Sequence, residues 1–238
     1  MAIIYHIPNE QLRQRGLYPR LQANNRLMFI THETAQHSIP EQVEAVLEGG
    51  CGWIQLRMKN GLRDEVAQQV VHLCQQAPHP VDLCIDDQVD FALHHGATAV
   101  HVGKLDMPVP EVWDHVEAQL SADRCFYVGA TANTFEDIRR AVEAKASYIG
   151  LGPYRFTETK KNLSPILGLE GYRRIVGQCR EAGWNIPIFA IGGIEQQDVK
   201  QLMQTGIDGI AVSGAILGAV SLSDATRCLI ETIQTYQA

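Results

Sequence analysis

Two segments decide the fold: Ile186-Pro187-Ile188-Phe189-Ala190-Ile191-Gly192-Gly193-Ile194 and Gly209-Ile210-Ala211-Val212-Ser213-Gly214-Ala215. Each is a short apolar run that ends in bare glycine and passes into a stretch of helical length, 196–205 after the first and 215–236 after the second. Short apolar runs bounded by turn residues suit strands buried on both faces, the condition of a parallel sheet covered by helices.

The same unit recurs upstream. Strands are expected at 27–31, 52–57, 81–86, 99–102, 126–129, 148–151, 186–191 and 209–212. Between and after them lie amphipathic stretches at 39–47, 63–76, 88–95, 110–120, 134–144, 168–182, 196–205 and 215–236. Ser38 precedes the first of these, with Pro40 in its opening turn, and Thr134 with Asp137 forms an N-terminal cap with an acidic first turn. Strands alternating with helices in this number indicate an α/β fold, a (β/α)8 TIM barrel. A doubly wound open sheet that binds a dinucleotide usually carries a glycine fingerprint after its first strand, and neither G-x-G-x-x-G nor a Walker lysine motif occurs. One catalytic domain is expected over 27–238. Residues 1–26, rich in Gln, Asn and Arg, read as an N-terminal extension with a short helix near 10–15.

Composition narrows the function classes. The 238 residues carry 20 basic and 27 acidic groups, a net charge of −7. That disfavours a general nucleic-acid binder but leaves room for a local cationic cluster. The six cysteines are scattered without C-x-x-C or zinc-type spacing, as expected of small core residues in a reducing cytosol. No apolar run reaches the ~20 residues of a membrane span, and the N-terminal apolar patch is too short for a signal sequence. A cytoplasmic location without membrane partners is expected. Oligomeric state is left open, a homo-oligomer included.

In such a barrel the active site lies at the C-terminal ends of the strands. Gly192 and Gly193, and Gly214 after Ser213, sit where loops seven and eight commonly bind phosphate, although glycine also serves tight turns. After the sixth strand, Gly152-Pro153-Tyr154-Arg155-Phe156-Thr157-Glu158-Thr159-Lys160-Lys161 gathers hydroxyls and ammonium groups suited to a phosphorylated small molecule, with a solvated surface loop as the alternative. Alternation along the second strand puts Gln55, Arg57 and Lys59 on one side, facing the bowl, with Leu56 and Met58 opposite. Cations there need a partner, either an internal carboxylate or an anionic ligand such as a diphosphate. Asp87 and Asp106, at the ends of neighbouring strands, can converge on one hard cation, Mg2+ beside a polyphosphate. Helix capping is the other reading of Asp86 and Asp87. His101 is either a satisfied core residue or a binding group beside Lys104, and Thr131 adds a hydroxyl. Trp53 and Trp113 read as packing.

Together these segments resemble the thiamine phosphate synthase family over nearly the whole chain. The carrying motifs are Q-L-R-M-K at 55–59, I-D-D-Q-V-D at 85–90, V-H-V-G-K-L-D-M-P at 100–108, G-A-T-A-N-T-F-E-D at 129–137, G-L-G-P-Y-R-F-T-E-T-K-K-N at 150–162, A-I-G-G-I at 190–194 and A-V-S-G-A-I at 211–216. The resemblance implies a transferase that condenses hydroxymethylpyrimidine diphosphate with a thiazole phosphate and releases diphosphate, through a carbocation-like pyrimidine. It implies that Gln55, Arg57, Lys59, Thr131 and Lys160 bind the pyrimidine diphosphate, with Arg57, Lys59 and Lys160 stabilising the leaving charge. Asp87 and Asp106 would hold Mg2+. Thr157, Glu158, Thr159, Gly193, Val212 and Ser213, with Gly214 beside them, would line the thiazole phosphate site.

Four positions depart from the family pattern. Asp86 stands where asparagine commonly contacts the pyrimidine, Lys104 where glutamine is common, which would add a contact to the diphosphate, Met58 for glutamate and Thr131 for serine. Two rivals share the barrel: a thiazole tautomerase-like isomerase and a non-catalytic thiazole-phosphate-binding regulator. Neither needs the magnesium carboxylates together with the diphosphate cations. A sugar-phosphate epimerase is a more distant alternative.

Overall fold

A computed structural model describes residues 18–19, 21–121, 124–156 and 165–236. Among these residues eight parallel strands pair in chain order, and the last pairs back with the first, so the sheet closes into a barrel. The strands are β1 (Leu27–Ile30), β2 (Trp53–Leu56), β3 (Asp82–Asp86), β4 (Ala99–Val102), β5 (Tyr127–Ala132), β6 (Tyr148–Leu151), β7 (Ile188–Ile191) and β8 (Gly209–Val212). The helices around them are α1 (Ile39–Glu48), α2 (Asp64–Gln76), α3 (Val89–His94), α4 (Val109–Gln119), α5 (Phe135–Glu143) and α6 (Gly168–Glu181), followed by α7 (Val199–Met203), α8 (Gly214–Leu217) and α9 (Leu222–Gln234).

Three details correct the sequence reading. β5 runs on to Ala132, which carries Thr131 into the strand. The seventh helical stretch opens as a 3-10 turn, Gln196–Asp198, before α7. The expected final helix is two helices: Gly218 ends α8, its N–H donating to Gly214 O at 2.9 Å, and Ser221 starts α9 by accepting from Asp224 N at 3.3 Å. Capping at the expected starts is realised. Ser38 and Glu41 form a reciprocal box at α1, as do Thr134 and Asp137 at α5.

Alternation along the strands sorts side chains into two shells. Ile54, Ile85, Val100, Ile149 and Ile210 face outward into the larger core beneath the helices. Met28, Trp53, Cys84, Ala99, Tyr127, Tyr148 and Phe189 fill the barrel interior. The rings of Trp53, Tyr148 and Phe189 meet edge-on, with centroids 4.9, 5.2 and 5.9 Å apart. One level higher, Gly129 pairs in register with both His101 and Tyr148. A Cβ at Gly129 would lie 2.5 Å from Tyr148 Oη and 2.6 Å from His101 Nδ1, so only glycine lets both rings share that level.

The N-terminal ends of the strands are closed from below. Leu21 packs on the interior cluster, Asn24 O accepts from Gly52 N at 2.9 Å, and Arg26 Nε donates to Asp208 O at 2.6 Å. The helix expected near 10–15 lies outside the described residues. The opposite ends, topped by Ile30 and Ile191, open onto the loops where the sequence places its candidate site residues.

Candidate active site

The inward alternation of β2 continues past its end. Trp53 is in the interior, Gln55 stands above it at 3% exposure, and Arg57 follows. Gln55 Nε2 donates to Asp86 Oδ1 at 2.5 Å, and Arg57 Nε pairs with Asp86 Oδ2 at 2.9 Å. One carboxylate on β3 therefore orients both β2 groups. Buried Thr31 pins the backbone beneath them, its Oγ1 donating to Arg57 O (3.0 Å) and accepting from Arg57 N (2.8 Å). Lys59 has no carboxylate partner among the described residues. Arg57, Lys59, Asp86 and Asp87 share a cavity of about 530 Å3, walled by Leu62 and Phe91. The cations make a positive field there: His32 is held below its ordinary value first by burial and then by the charges of Lys59 and Arg57.

Asp87 follows in a left-handed conformation, φ +63, with its N–H donating to His101 O at 2.8 Å. The capping alternative is not realised: the N-cap of α3 is Gln88, and no side chain caps the helix. Across the rim, Asp106 Oδ2 accepts from Gly103 N at 2.8 Å. The Asp87 carboxyl is pushed up to about 7, chiefly by burial, then by the charge of Asp86 and by Asp106 within hydrogen-bonding reach. A carboxyl that resists ionising beside other carboxylates marks a place where a cation relieves repulsion. Among the described residues no set of three or more His, Cys, Asp or Glu side chains is arranged to hold a metal. A cation at this pair needs further oxygens from water or ligand, which suits Mg2+ better than zinc.

Around the bowl, His101 is 7% exposed. Its Nε2 lies 3.0 Å from Thr131 Oγ1, and its ring centroid lies 5.5 Å from that of Tyr148. Lys104 turns instead to Asp137 Oδ2 at 2.6 Å, the oxygen that also receives the Asn133 and Thr134 amides at 3.0 Å. After β7, Gly192 and Gly193 take φ +98 and +67, a turn that other residues adopt only with strain. After β8, Ser213 precedes Gly214 at the start of α8, and its shielded hydroxyl has no hydrogen-bond partner among the described residues. The Val212 side chain faces outward into the helix-covered core, so only its backbone is on the bowl side. Thr157, Glu158, Thr159 and Lys160 lie outside the described residues.

Some supporting residues carried no sequence signal of their own. Thr31 looks like the last residue of an apolar strand, Asp198 like a helix-start acid, and Tyr148 like ordinary strand core. Their roles come from partners distant in sequence: Arg57, Arg155 and His101.

A profile of the thiamine monophosphate synthase family matches residues 27–216. A thiamine-phosphate synthase of Bacteroides fragilis is 47% identical over 207 residues, covering 86% of this chain and 98% of that one. Another from Phocaeicola vulgatus is 48% identical over 196 residues, covering 81% and 90%. The solved thiamine phosphate pyrophosphorylase from Pyrococcus furiosus superposes with a TM-score of 0.75 at 30% identity, over 91% of this chain and all of that one.

Proposed function

Because the chain belongs to the thiamine monophosphate synthase family, we propose that the rim formed by Gln55, Arg57, Lys59, Asp87 and Asp106 is where it performs that family's transfer. The chain is a transferase that condenses hydroxymethylpyrimidine diphosphate with a thiazole phosphate, giving thiamine phosphate and diphosphate. The isomerase and regulator readings are not favoured, because the similar proteins are synthases.

The observation that carries the site is the cavity shared by Arg57, Lys59, Asp86 and Asp87, with Asp106 within reach of Asp87. These two carboxylates would hold Mg2+, which, when bound with the diphosphate, supplies charge neutralisation for the leaving group. Arg57 is fixed through Nε by Asp86, which leaves its terminal nitrogens for phosphoryl oxygens. Lys59, and Lys160 from the loop after β6, add point charges to the same polyanion. Gln55 and Asp86 present an amide and a carboxylate where the pyrimidine enters, flanked by Thr131 and His101. The carboxylate of Asp86 accepts hydrogen bonds only, so it suits the donor edge of that ring. Lys104, already paired with Asp137, serves the α5 cap rather than the diphosphate.

The thiazole phosphate takes the turns after β7 and β8, at the backbone of Gly193, Val212 and Gly214 and the hydroxyl of Ser213, with Thr157, Glu158 and Thr159 completing that side. Holding the two substrates face to face converts a bimolecular attack into a local one, and no protein nucleophile is needed. Residues 27–238 form the catalytic domain in this reading. Among the described residues no helix is long and apolar enough to cross a membrane, and the cysteines are unpaired, in keeping with a reducing cytoplasm.

The test supplies both phosphorylated substrates with and without Mg2+ and measures thiamine phosphate. Product should depend on magnesium and nearly vanish in Asp87→Asn, a change the left-handed backbone there tolerates, while thiazole phosphate binding survives. Turnover indifferent to chelation and to that substitution would defeat the metal assignment.

A further inference from the structure

We propose that Asp198 is a positioning residue for the reaction: through Arg155 it clasps the glycine turn after β7 to the loop base after β6, and so shapes the seat of the thiazole phosphate. The proposal rests on the assignment of that phosphate to Gly193 and Ser213.

Asp198 stands at the start of α7, beyond the turn, and is only 7% exposed. A carboxylate so buried needs donors, and three converge on it. Glu195 N donates to Oδ2 at 2.8 Å. Arg155 Nη2 and Tyr154 Oη donate to Oδ1 at 2.7 and 3.4 Å. Arg155 also reaches Glu195 Oε2 at 3.5 Å, and its guanidinium lies 5.0 Å from the centre of the Tyr154 ring.

The loop base and the turn are zipped together along the backbone as well. Tyr154 N donates to Ile191 O at 2.9 Å, and Arg155 N to Gly192 O at 3.0 Å. A Cβ at Gly193 would fall on Arg155 Cγ and lie 2.9 Å from Phe156 O. The glycine turn is therefore moulded against the Arg155 stem.

A Gly-Gly turn is the most freely varying backbone a chain can offer, and a phosphate seat built from it must be held in one shape from outside. The Asp198–Arg155 link meets that need. It ties Glu195, which follows the turn, to Arg155, which lies across it. Arg155 spends its charge on Asp198 and Glu195, so it acts as a brace rather than as a phosphate ligand.

Asp198→Asn keeps an acceptor for Glu195 N but loses the charge that holds Arg155. Arg155→Met keeps the stem and removes the guanidinium. Steady-state kinetics with each substrate varied in turn, and calorimetric titration of thiazole phosphate, test the link. Each single variant should raise KM for thiazole phosphate on the order of tenfold, the loss expected for one part-buried charge-assisted bond. KM for the pyrimidine diphosphate and kcat should stay within about twofold of the parent by the same arithmetic. The double variant should be no worse than the poorer single, because both break one link, and Arg155→Lys should recover part of the loss. If Asp198→Asn does not fold, the Arg155 pair carries the test. Additive losses, or a parallel rise in both KM values with a lower melting temperature, would overturn the proposal. Ser213→Ala separates the two levels of inference. If it raises KM for thiazole phosphate while Asp198→Asn and Arg155→Met do not, the clasp is wrong and the seat stands. If none of the three does, the seat itself is misassigned.

Discussion

Replacing Asp87 by Asn should make the metal-free protein more stable at pH 8 and remove its response to magnesium. Folding raises this carboxyl from the ordinary 3.8 to about 7, so between those values the native state holds a proton that the unfolded chain has lost. Stability is then full below about pH 4 and declines as pH rises towards 7. Taken at full weight the displacement is worth roughly 4 kcal/mol. Asp87 is only half-buried, and solvent screening reduces this to about 1–2 kcal/mol, or ~2–8 °C in melting temperature for a domain of this size. Asparagine is the right replacement because the site has φ +63, which Asn tolerates and Ala does not. Thermal unfolding at pH 5 and pH 8, each in chelator and in Mg2+, reads the effect. The parent should lose stability from pH 5 to pH 8 in chelator and regain it with Mg2+, whereas Asp87→Asn should lose less over that interval, the remainder coming from Asp82, which burial pushes up to about 6, and should not respond to Mg2+. A variant less stable than the parent at pH 8 without metal would refute the carboxylate pairing. One stabilised by Mg2+ as much as the parent would place the ion elsewhere.

Three further outcomes follow from packing and exposure. Gly129→Ala forces a methyl between Tyr148 and His101 and should cost about 1–3 kcal/mol in denaturant unfolding, with activity falling as His101 is pushed from Thr131. Lys104→Met removes a part-exposed ion pair and should cost under ~1 kcal/mol, while Asp137→Ala strips the α5 cap as well and should cost about 1 kcal/mol more; a large rise in KM for the pyrimidine diphosphate in Lys104→Met would return that lysine to the site. Of the six cysteines only Cys228 is exposed, and burial pushes the Cys51 thiol up to about 12; a thiol reagent at neutral pH should modify one group quickly in the native protein and all of them in denaturant.

Much of the site was legible in the chain because strand periodicity is rigid. Once β2 is a strand, Gln55 and Arg57 must share a face, as they do. The partner of each charge was not legible. Arg57 and Lys59 look alike as bowl-facing cations, yet one is tied to Asp86 while the other has no carboxylate partner among the described residues. Lys104 sits in the middle of a site motif and answers to a helix cap 33 residues away. The break between α8 and α9 is masked in the sequence because Gly218 and Ser221 interrupt a stretch whose apolar spacing is otherwise helical.

Apolar periodicity, glycine placement and capping residues by themselves determined that this chain is a (β/α)8 barrel, and the motifs at its strand ends determined its family. These signals are local, set by side-chain spacing along a single strand or helix. Tertiary structure alone decided which carboxylate holds which cation, that Asp87 and Asp106 press on one another, and that Asp198 reaches back to Arg155. Such pairings depend on barrel closure, which brings residues from different loops within bonding distance, where burial makes their charges count.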